Sequence, residues 1–100
     1  MKNKTSISHD EALIHELREN REFAVEYLRA ALEEDDEPRV LLMALRRVVQ
    51  ARGIARIAKA AGIERESLYR ALSKRGNPRL STLAAVAKAV GLRLTVEAAR

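Results

Sequence analysis

Apolar residues recur along most of this chain with the spacing of helices, and only near its end does the period change. Leu13, Ile14 and Leu17 share one side of a short helix over 10–17. Phe23, Ala24, Tyr27, Leu28, Ala31 and Leu32 recur at i, i+4 and i+5, which predicts a second helix over 22–32 with one apolar face. An acidic run at 33–37 ends at Pro38, and a flexible junction is expected at 34–38. Proline is well tolerated in a first turn. A third helix therefore starts near Pro38 and runs to about Arg52, with Leu41, Leu42, Leu45, Val48 and Val49 as its core face and Gly53 as its stop.

Two short helical segments follow, 55–61 and 65–73, separated only by Gly62, Ile63 and Glu64. A polar, basic loop fills 74–79. Ser81 is a candidate N-cap for a last helix over 82–90, with Leu83, Val86, Ala87 and Val90 inward and Gly91 beyond its end. In 92–97 the period drops to two: Leu92, Leu94 and Val96 alternate with Arg93, Thr95 and Glu97, a strand pattern. No second strand pattern occurs, and an isolated strand leaves its backbone groups without partners. The simplest partner is the same strand of a second copy. A homodimer with a two-stranded antiparallel ribbon through Leu92, Leu94 and Val96 is expected; the alternative is an extended tail packed on the chain's own helices.

Charge divides this pattern into two parts. Residues 1–38 hold five Lys/Arg against eleven Asp/Glu, and residues 39–100 hold fourteen against three, so net charges of −6 and +11 lie behind the overall +5. The basic part suits nucleic acid. The acidic part would repel nucleic acid and suits a basic protein, unless both charge sets are simply solvated helix faces. One hundred residues suffice for one compact unit. With no cysteine there are no disulfides or thiolate metal sites. Charges interrupt every apolar stretch well before the about 18 residues a membrane span needs. No signal peptide is expected, and the chain is expected to be soluble and cytoplasmic. His9 and His15 lie six apart without a third ligand, and no glycine-rich phosphate loop occurs. No catalytic residue, metal or cofactor is expected, and an enzyme is disfavoured.

Residues 54–73 make the most specific constellation. Two helices crossing through a tight turn need a small residue at the crossing, a residue tolerant of positive φ in the turn and an apolar anchor after it. Ala58, Gly62 and Ile63 supply these, and Leu68, Ala71 and Leu72 give the second helix an inner face. Arg65, Glu66, Tyr69 and Arg70 share its outer face. Lying in a DNA major groove, that helix would bring these four to the base edges. Arg65 and Arg70 suit guanine edges. Glu66 suits a cytosine amino group, or simply the positive end of the helix dipole. Tyr69 suits a phosphate or thymine methyl, or packs on the surface. Arg56 and Lys59 on the first helix, with Ser67, Lys74, Arg75, Asn77 and Arg79, are candidate phosphate contacts. Gly76 and Asn77 leave backbone N–H groups for a close phosphate approach.

The stretch from Asp36-Glu37-Pro38 to Ala51-Arg52-Gly53, then Ala58, Gly62-Ile63, Arg65-Glu66-Ser67-Leu68-Tyr69, Ala71-Leu72-Ser73, Gly76-Asn77-Pro78 and Ala89-Val90-Gly91-Leu92, resembles the addiction-module antidote proteins with a Cro/repressor-like (Xre-type) helix-turn-helix. Ala30-Ala31-Leu32-Glu33-Glu34 also fits, so the resemblance spans about residues 10–97. Glu64 departs from the Ser or other good N-cap usual there, and Ile54-Ala55 from a more polar helix start. The resemblance implies an all-α fold of five to six helices. An acidic N-terminal helical extension (1–38) would precede a helix-turn-helix domain with a short C-terminal β-strand (39–100). It also implies an antitoxin of a type II toxin-antitoxin module, which represses its own operon and neutralises a RelE-like toxin. Glu22, Glu26, Leu28, Leu32, Glu33 and Asp35 are then the toxin-binding candidates, with Glu19, Glu34 and Asp36 nearby. The alternative is a stand-alone small repressor without a toxin partner.

Overall fold

In the computed structural model, which describes residues 8–34 and 37–99, the first helix begins with a reciprocal cap. The Ser8 hydroxyl accepts from Glu11 N–H at 3.1 Å, and Ser8 N–H donates to the Glu11 carboxylate at 3.3 Å. That pair satisfies two amide groups a helix start otherwise leaves unpaired. It sets the start of α1 (His9–Glu19). Asn20 ends this helix and opens α2 (Arg21–Glu34): its N–H donates to Glu16 O at 2.9 Å and its Oδ1 accepts from Phe23 N–H at 3.0 Å. Helix α3 (Pro38–Arg52) starts on its proline, and Gly53 with φ 99° both ends it and starts α4 (Ile54–Ala61). Then come α5 (Arg65–Ala71) and α6 (Leu80–Ala89). The described residues form six helices and no strand.

The turn between α4 and α5 closes by a specific hydrogen-bond pair. Gly62 sits in the left-handed region (φ 71°, ψ 31°), Ile63 N–H reaches back to Ala58 O at 2.9 Å, and Gly62 N–H reaches Lys59 O at 3.2 Å. This is the Schellman arrangement, which satisfies the last helical carbonyls and turns the chain at once. The same geometry recurs after α6. Gly91 has φ 83°, Leu92 N–H donates to Ala87 O at 2.8 Å, and Gly91 N–H donates to Lys88 O at 3.0 Å.

One core joins all six helices. Leu17, Ala24, Val48, Leu68, Leu72 and Val86 are fully buried in a single cluster, with Ile57 and Ala58 of α4 beside them. Helices α1 and α2 pack on α3, and α4 packs on α6. Arg52 binds the ends of two helices to this core. Its Nε donates to Leu17 O at 3.1 Å and its Nη1 to Val90 O at 3.0 Å, where C-terminal carbonyls lack helical partners and the dipole favours a cation. Arg47 Nη1 meets Asp10 Oδ1 at 2.9 Å and ties α3 to α1.

Three expectations change. The last helix starts at Leu80 rather than at Thr82, and Ser81 is not its cap. Leu83 N–H already closes the first turn on Arg79 O at 3.1 Å, so Arg79, extended at φ −67° and ψ 158°, is the residue before the helix, and its side chain makes no capping bond. Helix α5 stops at Ala71, where Ser73 N–H and the Ser73 hydroxyl both donate to Arg70 O, at 3.2 and 2.8 Å, in place of the next i→i−4 bond. The expected strand over 92–97 is not formed in the single chain: residues 92–99 carry neither helix nor strand pairing. Leu92 has spent its N–H on the turn after α6 and packs against the core, so any strand pairing must begin beyond it.

Candidate nucleic-acid interface

Helix α5 is a short element held from below. Leu68 and, just past its end, Leu72 are fully buried, which fixes which side of the helix faces out. Arg65, Glu66 and Arg70 are exposed. Glu66 and Arg70 are four apart and share a ridge, and Arg65 lies in the first turn beside Glu66. Ser67 is half-buried on the flank, and its hydroxyl accepts from Arg70 Nη2 at 3.4 Å. Tyr69 is half-buried as well, because Arg46 of α3 lies over its ring with the guanidinium carbon 4.7 Å from the centroid. Arg46 Nη1 also approaches Tyr69 O at 3.4 Å. On α4, Arg56 and Lys59 are exposed and three apart, on the side away from buried Ile57 and Ala58.

The loop between α5 and α6 is shaped by Gly76. A Cβ there would collide with the Ala71 carbonyl oxygen and stand 2.9 Å from Arg70 O, so only glycine permits this close return of the chain. Gly76 N–H donates to Ser73 O at 2.9 Å. It is therefore engaged within the loop rather than left for a phosphate, contrary to the sequence expectation. Arg75, Asn77 and Arg79 are exposed around it. Lys74 turns elsewhere: it lines a recess of about 630 Å³ between α2 and α3, together with Arg39 and Arg47.

The acidic candidates separate in the same way. Glu22 and Glu26 stand four apart on the exposed ridge of α2, where Glu26 pairs with Arg29 at 3.1 Å. Glu19, exposed at the end of α1, pairs with Arg18 at 3.1 Å. Part of the acidic charge is thus neutralised locally. Leu28, Leu32 and Glu33 instead line a groove between α2 and the C-terminal tail, and Leu92 and Leu94, expected for dimerisation, line that same groove. Val96 is exposed beyond it. Asp35 and Asp36 lie outside the described residues. Sequence reasoning missed Arg46 and Arg52. Arg52 had a signal: it falls four residues after Val48 and three after Val49, inside the apolar stripe of α3. An arginine in that register points to backbone carbonyls nearby.

Among the described residues no group of three or more His, Asp or Glu could hold a metal ion, and no helix is long and apolar enough to cross a membrane. A family profile described as "Probable addiction module antidote protein" matches residues 9–98. An uncharacterized protein of Haemophilus influenzae (strain Rd) is 43% identical over 74 residues, covering 74% of this chain and 75% of that relative. No solved structure matches.

Proposed function

The chain belongs to the probable addiction module antidote protein family, and from that membership we propose that it is a cytoplasmic type II antitoxin that reads DNA and captures a toxin, with no catalytic role. In this reading α4 and α5 form a helix-turn-helix of the Xre type. Helix α5 enters the major groove of an operator in the chain's own promoter. Two copies read two half-sites about one helical turn, roughly 34 Å, apart. The toxin is a basic, RelE-like protein drawn to the exposed acidic ridge of α2 at Glu22 and Glu26.

The observation that carries DNA reading is the construction of α5. Buried Leu68 and Leu72 and the Gly62 turn hold it rigidly, and Arg65, Glu66 and Arg70 project from it while Arg56 and Lys59 flank it on α4. Base-reading side chains on a rigid short helix, with phosphate-type cations on the preceding one, match what a major groove requires.

The test is a mobility-shift titration with the DNA upstream of the coding frame, in the presence of excess random competitor. Specific binding is expected, and Arg65→Ala with Arg70→Ala is expected to abolish it without altering the circular dichroism spectrum. Wild-type specificity in that double variant would overturn the groove assignment. In parallel, the product of the neighbouring reading frame is co-expressed with the tagged chain. Co-purification of a small basic protein is expected; a neighbouring protein that does not bind argues against the antitoxin reading.

A further inference from the structure

We infer that the groove between α2 and the C-terminal tail is the face through which two copies of this chain associate. The groove measures about 710 Å³ and is apolar at its floor, where Leu28 and Leu32 of α2 meet Leu41 and Leu45 of α3, Leu83 of α6 and Leu92. Two of the large apolar side chains left most open in the single chain stand on it: Leu32 is 58% exposed and Leu94 is 52% exposed. Val96, 92% exposed, follows at once. Such clustering on a small protein marks a surface that something covers.

The charges at the rim select the occupant. Arg29 and Glu33 stand on the α2 side, and Arg93 and Glu97 on the tail side. Each side carries one cation and one anion. A two-fold contact sets a patch against its own copy, residue i meeting j and j meeting i. A rim of one sign would repel itself, whereas this rim can pair with itself. A basic partner would meet Arg29 and Arg93, and a strongly acidic one would meet Glu33 and Glu97. Among the described residues Glu33, Arg93 and Glu97 make no ion pair, so they remain available.

The tail supplies the second argument. Leu92 is anchored by the turn after α6, which delivers residues 93–97 along the groove edge with alternating apolar and polar side chains and no pairing of their own. The backbone of a second tail can satisfy these groups while Leu94 and Leu32 of both copies close over the floor. Dimerisation therefore draws on α2, not on a tail ribbon alone. It removes Leu28, Leu32 and Glu33 from the surface a toxin would use and leaves it Glu22 and Glu26.

Sedimentation velocity on the full-length protein, without DNA or toxin, tests this independently of operator or toxin binding. A dimer at tens of micromolar is expected. Leu32→Glu, and separately Leu94→Glu, should each weaken association at least tenfold with an unchanged circular dichroism spectrum, since both side chains are exposed and outside the core. Since the chain has no cysteine, Leu32→Cys supplies a unique thiol, and a short bis-maleimide should join two copies through it. A wild-type monomer, or a Leu32→Glu protein that dimerises as tightly as wild type, overturns the inference. So does a Leu32→Glu protein that stays dimeric but no longer co-purifies with the neighbouring-frame product, which would give the groove to that protein.

Discussion

Arg46 covers the ring of Tyr69 from the opposite side of the α3–α5 contact, its guanidinium carbon 4.7 Å from the ring centroid, and the same guanidinium approaches the Tyr69 carbonyl at 3.4 Å. One side chain thus fixes both the last turn of α5 and the aromatic residue nearest its outer face. A partly desolvated cation–π contact contributes about 0.5–2 kcal/mol. Arg46→Ala should therefore lower unfolding stability by about 1–2 kcal/mol, read as a shifted urea midpoint with unchanged slope. Arg46→Lys should recover only part of that, because an ammonium lacks the planar face and fork. An unchanged midpoint in Arg46→Ala would show the contact to be ornamental.

Arg52 is the second arginine that acts inside the fold. Replacing it with methionine keeps much of the apolar stem but leaves Leu17 O and Val90 O without their donor. Hydrogen bonds to a charged group are worth about 1.5–3 kcal/mol each, so Arg52→Met should cost about 3 kcal/mol or more across the two. Hydrogen exchange should quicken at the ends of both α1 and α6; quickening at only one end would contradict the shared anchor.

Two glycines give a graded pair. Gly62→Ala meets open space and is penalised by its φ of 71° alone, about 1–2 kcal/mol. Gly76→Ala drives a methyl into the carbonyl of Ala71, which is backbone and yields little. It should cost more, about 3 kcal/mol, and should perturb the 74–79 loop. Thermal unfolding that ranks the two the other way would place the strain wrongly.

Operator binding should divide by residue type. Arg56→Ala and Lys59→Ala should weaken binding to operator and random DNA alike, and each should reduce the slope of log affinity against log salt by about 1. Arg65→Ala should instead narrow the gap between operator and random DNA. If all three variants behave identically, α5 is not the reader.

Toxin capture should be removed by Glu22→Lys with Glu26→Lys, at a cost to stability of only about 1 kcal/mol, because both side chains are exposed and what is lost is the surface pair with Arg29 and one favourable charge in the first turn of α2. Removing α1 and α2 altogether is a different matter. Leu17 and Ala24 are fully buried against α3, so that truncation should unfold the remainder rather than isolate a DNA-binding unit. A truncated protein with a cooperative melt would refute the single core.

Helix positions were largely legible in the sequence because each depends on local spacing. The stripe of Leu42, Leu45, Val48 and Val49 and the pairing of Gly62 with Ile63 set α3 and the α4–α5 turn without reference to the rest of the chain. Ser8 and Glu11 also carried a local signal, which apolar spacing alone overlooks. What the sequence could not display are contacts between distant segments. Arg47 meets Asp10, Arg52 meets Leu17 and Arg46 meets Tyr69 only because the helices stack. The acidic front is likewise less free than its charge count suggests, since Arg18 and Arg29 neutralise part of it and α1 and α2 are built into the core. The tail pattern reads as a strand, but pairing needs a second strand, and the described residues of one chain contain none.

That shared core has a consequence for lifetime. Neither α1 nor α2 can leave while the remainder stays folded, so the proposed operator reading and the toxin capture on α2 end together, in one opening event. Their common duration is set by a single unfolding rate. Any substitution that speeds unfolding, even one as remote from both surfaces as Arg52→Met, would shorten repression and protection by the same factor.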